Sequence, residues 1–120
     1  MSNPNIVQFA LQTLSQVRYM HWVTTSYHIH KELGNLYERL DELIDRFVES
    51  YLGTHLNEKG FGSLSLPVEP VSQTRLYSDI LIGIKQNFKG ISTGMDSALK
   101  NIIDEITGAI DQTLYLIAMK

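Results

Sequence analysis

Residues 27–52 read YHIHKELGNLYERLDELIDRFVESYL. Leu33, Leu36, Tyr37, Leu40, Leu43, Ile44, Phe47 and Tyr51 recur in it at helical intervals, while the positions between them are charged or polar. That period belongs to an amphipathic α-helix and not to a strand, whose apolar positions alternate. A helix with one apolar stripe must bury it against partners. Gly53 stands where a C′ glycine would end the helix.

Upstream, Asn3 and Pro4 form a helix start, an N-cap acceptor before a proline whose missing N–H does no harm at the first turn. Ile6, Phe9, Ala10, Leu14 and Val17 predict a helix over 4–24, and Thr24, Thr25 and Ser26 offer hydroxyls to end it and cap the next. Downstream, residues 53–71, GTHLNEKGFGSLSLPVEPV, hold three glycines and two of the three prolines, so no long helix is expected there. Ser72 is the expected cap of a helix over 73–90 with Leu76, Ile80, Leu81, Ile84 and Phe88 inward. GISTG breaks the chain at 90–94, and Thr93 with Asp96 resembles a capping box. A last helix over 94–119 runs on Leu99, Ile102, Ile103, Ile106, Ile110, Leu114 and Ile117. The expectation is an all-α fold, an antiparallel four-helix bundle with residues 1–120 as a single domain.

The 120 residues carry a net charge of −3 and no cysteine. Disulfides, thiolate metal sites and cysteine nucleophiles are excluded. The first charged side chain is Arg18, so the expectation is no basic arm and no signal peptide. No apolar run approaches the ~18 residues of a membrane span. No membrane partner and an intracellular, cytoplasmic location are expected. Ten basic against thirteen acidic residues, with no two basic residues adjacent, also predict no DNA binding.

At ~100° per residue, His30, Gly34, Glu38, Asp41, Asp45 and Glu49 form a polar seam beside the apolar stripe. No Glu-x-x-His pair occurs, so the inward-facing ligand set of a central di-iron site is missing. A metal on this seam would lie at the bundle's edge, where a second subunit could complete the coordination. The plainer reading of the seam is a solvated face. His28 and His30 lie two apart and cannot both face one ligand, and His55, in the glycine-rich segment, has no assigned role. Asp104 and Asp111, without a histidine on their helix, read as a solvated face, and Tyr115 and Met119 as packing residues. No phosphate-binding loop, nucleophile elbow or dinucleotide fingerprint occurs.

His21-Trp22, then His30, then LYERLDELIDRFVE over 36–49 resemble the Dps-like branch of the ferritin superfamily. The matching register is His30, Asp45 fifteen residues on, and Glu49 four after that. The chain also resembles short ferritin-like proteins of tailed phages, for which the host cytoplasm is the implied location. The resemblance covers about residues 18–52 and implies a ferritin-like fold. It further implies a homo-oligomer, from a dimer up to a dodecameric shell. Between two-fold related subunits, His21 and His30 of one chain would bind iron with Asp45 and Glu49 of the other. Ferroxidase activity and protection against oxidative damage are the implied functions, and zinc or another divalent metal suits the same ligands. The chain departs from the family in three ways. Its histidines are closer together, Gly34 stands where an acidic ligand is usual, and the segment after the second helix is rich in proline and glycine. The alternative reading is a non-enzymatic ferritin-like bundle with a degenerate site, acting as a structural or interaction module.

Overall fold

The computed structural model describes residues 5–56, 63–71 and 76–119, which hold four helices and no strand. They are α1 (Ile6–Val23), α2 (Tyr27–Thr54), α3 (Tyr77–Ser92) and α4 (Ser97–Ala118). Each helix sits where its apolar stripe predicts, and local chemistry decides the ends. Asn5 caps α1 by accepting from Gln8 N–H at 3.0 Å; the expected Asn3 cap lies outside the described residues. Ser26 caps α2 through Ile29 N–H, and Asp96 caps α4 through Leu99 N–H. Asp96 is thus itself the cap, not the closing residue of a box begun by Thr93. The expected Ser72 cap also lies outside the described residues.

Gly53 does not end α2. The helix continues to Thr54, and the His55 ring closes it by donating Nδ1–H to the Tyr51 carbonyl at 2.9 Å. Among the described residues, the glycine that turns left-handed is Gly94, φ +85°, between α3 and α4. Leu76, expected inward, is 58% exposed because it precedes the first turn of α3 as its N-cap. Tyr115 and Met119 are exposed too, contrary to their reading as packing residues.

The apolar stripes meet in one buried cluster. Leu33, Leu36, Leu40, Ile44 and Phe47 of α2 join Val17 and Met20 of α1 and Ile103, Ile106 and Ile110 of α4. Phe88 of α3 closes the centre, its ring 4.8 Å from Phe9 and 6.3 Å from Phe47. Cross-links between α2 and α4 join His28 to Leu116, Arg39 to Gln112 and Arg46 to Glu105. Buried Thr107 and Thr113 return their hydroxyls to the carbonyls of Asp104 and Ala109, so neither is left without a partner inside its helix. Residues 63–71 lie along α1, where Gln8, Gln12 and Gln16 bond to Ser65, Pro67 and Glu69.

Candidate metal centre

The three-residue turn Thr24–Ser26 folds the start of α2 back against the last turn of α1. His21 and His30 thereby face each other. Their rings stack with centroids 3.9 Å apart and planes 14° from parallel. Each ring bonds to the other residue's backbone: His21 Nδ1 lies 2.7 Å from the His30 carbonyl, and His30 Nδ1 lies 2.8 Å from the His21 carbonyl. A carbonyl only accepts, so both Nδ1 atoms carry the proton. In the neutral rings, both Nε2 atoms then hold the free lone pair. Hydrogen bonds of this kind, from the ring nitrogen that does not bind metal, fix tautomer and orientation in metal-ligating histidines.

Gly34 makes the stack fit. A Cβ at position 34 would stand 2.9 Å from His21 Cε1 and 3.2 Å from its Nδ1. The ring of His21 occupies the space a side chain at 34 would need. Glycine inside a helix costs about 1 kcal/mol relative to alanine, so close approach of another group is the reason to find it there. Through the family resemblance, Gly34 reads as a lost carboxylate; its position inside the helix is the signal for a different role.

Around the pair, the Arg18 guanidinium sits 3.8 Å over the Tyr37 ring and 5.6 Å from the Trp22 ring. Tyr27 approaches His30 with ring centroids 6.4 Å apart. The resulting surface recess is lined by Arg18, His21, Tyr27, His30, Gly34 and Glu38. Trp22, the chain's single tryptophan, stands 69% exposed beside it.

Asp45 and Glu49 are exposed on α2, off the core face as the seam predicts. They lie fifteen and nineteen residues beyond His30, about 22 and 28 Å further along the axis at 1.5 Å per residue. One chain therefore brings the two histidines together and leaves the two carboxylates at a distance. Among the described residues no group of three or more histidine, aspartate or glutamate side chains could hold a metal ion. A single chain offers two nitrogen donors with fixed tautomers, and a complete shell needs ligands from elsewhere. The donors suit iron or zinc, both of which accept imidazole nitrogen.

His28 is engaged differently. Its Nε2–H donates to the Leu116 carbonyl at 2.6 Å, tying the first turn of α2 to the last turn of α4. His55 caps α2 and stacks on Tyr51 with centroids 4.1 Å apart. Neither ring joins the His21–His30 pair.

Among the described residues, no helix is long and apolar enough to cross a membrane. Residues 21–117 match the family of unknown function DUF5856. The chain is 30% identical over 104 residues to an uncharacterized 14.6 kDa protein in the mobD-ri intergenic region of Enterobacteria phage T4; the match covers 83% of this chain and 75% of that protein. No solved structure matches. The family match spans most of the chain and takes in both stacked histidines, Gly34 and the seam beyond them, so the chain belongs to the DUF5856 family.

Proposed function

We propose that the chain forms an antiparallel, ferritin-like bundle that binds ferrous iron as a substrate between two copies. His21 and His30 of one copy act with Asp45 and Glu49 of the other. The antiparallel arrangement is supported by the α2–α4 cross-links, which pair early residues of one helix with late residues of the other. The observation that carries the iron reading is the reciprocal clasp of His21 and His30, which holds both Nδ1 atoms as donors and leaves both Nε2 atoms for a metal.

The geometry of α2 fits a two-fold partner. His30 of one copy meets Asp45 and Glu49 of the next only if the two helices cross near Glu38, roughly midway between those positions on the seam. Lys31 and Arg18 border the histidine end, whereas Asp45 and Glu49 stand exposed at the far end. A two-fold axis at the crossing lays each cationic end on an anionic one, the complementarity that favours a self-associating face.

At such a site the clasped imidazoles fix ligand positions before iron arrives. The incoming carboxylates supply the negative charge that a ferric product needs. Two ferrous ions give one electron each to hydrogen peroxide, which takes up two protons and leaves as two waters. The redox chemistry is iron's own. Arg18, held over Tyr37, sets the charge at the rim and does not enter the ligand shell.

His30→Ala and Asp45→Asn are each expected to lose ferrous iron oxidation, followed by the ferric absorbance, with unchanged helical circular dichroism. Parental iron binding by both variants would refute the site. The clasp also favours a second reading, a structural staple closing the α1–α2 turn in a bundle that acts as an interaction module. That reading predicts that His21→Ala and His30→Ala lower stability and that the parent protein takes up no iron.

A further inference from the structure

On the flank of α1 away from His21, three glutamines stand in a row. Gln8 Nε2 donates to the Ser65 carbonyl at 2.7 Å, Gln12 Nε2 to the Pro67 carbonyl at 3.1 Å, and Gln16 Nε2 to the Glu69 carbonyl at 3.1 Å. Glu69 N–H donates back to Gln16 Oε1 at 2.6 Å. The spacing has a simple origin. A helix advances about 6 Å in four residues, and an extended chain advances about 6.6 Å in two. Glutamines at every fourth position of α1 therefore repeat in step with every second carbonyl of an extended peptide.

These four bonds are to the peptide's backbone. The middle register asks for no N–H, so proline is accepted at 67. Pro67 and Pro70 push Leu66 and Glu69 before them into extended conformations. The closed end of the row is Gln16, which is buried, and the open end is exposed. Apolar burial is modest: Leu64 and Leu66 are 43% and 38% exposed, while Val68 is half-buried and Val71 packs against the core. A surface segment held this way is the kind that opens locally at low free energy.

We propose that Gln8, Gln12 and Gln16 form a docking track for one extended, proline-bearing peptide segment. Residues 65–69 are its resident occupant, and a partner protein's segment of the same chemistry displaces them. The track reads the backbone as a sheet edge does in β-augmentation, with side-chain amides in place of strand groups. Gln12 and His21 lie nine residues apart, about 180° around α1, so the track is independent of the proposed iron site.

The test uses the full chain with residues 64–70 replaced by glycine and serine, and a fluorescent synthetic peptide, SLSLPVEPV, read by anisotropy. The peptide is expected to bind the replaced chain saturably. It should bind the parent at least about tenfold more weakly, because the tethered occupant competes at high effective concentration. Gln16→Ala in the replaced chain removes both bonds to the peptide's equivalent of Glu69 and should weaken binding about fivefold or more, since even one such bond contributes about that much. In the unreplaced protein, amide hydrogen exchange at Glu69 should quicken about fivefold or more on Gln16→Ala. No peptide binding by a replaced chain that keeps its helical circular dichroism would overturn the proposal. Should the replaced chain lose its fold, the exchange measurement decides, and an unchanged rate at Glu69 overturns the proposal.

Discussion

A glycine in the middle of a 28-residue helix is usually a weak point, and replacing it with alanine usually stabilises by about 0.5–1 kcal/mol. At Gly34 the opposite is expected. The new Cβ would press on the His21 ring at 2.9 Å, and that ring is pinned by its bond to the His30 carbonyl. Gly34→Ala should therefore lower stability by about 1 kcal/mol or more, read as a lower urea midpoint at constant slope. In a His21→Ala background the same change should stabilise, because the ring is gone and only the helix preference remains. Additive effects in this double-mutant cycle would contradict the stacked geometry. The histidines are legible as candidates from their type and register. The reason for Gly34 is not, because it depends on a neighbour thirteen positions earlier that only the folded turn brings close.

The helices show a similar division. Apolar stripes such as Leu33–Leu36–Leu40–Ile44–Phe47 are readable because the helical period marks which side is buried. Ends are not, since the period says nothing about termination. Gly53 reads like a stop, yet it is helical and open, with nothing within 4 Å of where a Cβ would stand, whereas Gly94 holds the left-handed turn. The two glycines should respond to alanine with opposite signs. Gly53→Ala should raise stability by about 0.5–1 kcal/mol, and Gly94→Ala should lower it by about 1–2 kcal/mol. Thermal unfolding of both variants checks this, and a shift of the same sign in both would contradict the assigned ends. The His55 cap escapes a sequence reading for the same reason: a ring reaching back to the Tyr51 carbonyl has no periodic signature.

For the whole molecule, Phe88 is the bulkiest side chain that α3 sends fully into the core, between Phe9 and Phe47. Phe88→Ala should cost about 3–5 kcal/mol, a large part of the roughly 5–15 kcal/mol that holds a domain folded; chemical denaturation reads it directly. Net charge acts at the same scale. Thirteen acidic residues outnumber ten basic ones, and assembly multiplies that excess. Duplex DNA should show no mobility shift at physiological salt without divalent metal; a salt-sensitive shift would reveal a basic patch built by assembly. The proposed site is shared between copies, so two differently damaged chains should complement each other. A His21→Ala/His30→Ala chain and an Asp45→Asn/Glu49→Gln chain should each fail to bind or oxidise ferrous iron. Co-expressed in equal amounts, they should recover roughly a quarter of the parental sites, since random pairing joins an intact histidine side to an intact carboxylate side with probability about one half times one half. A mixture as inactive as its components, or either double variant binding iron like the parent, would contradict the account.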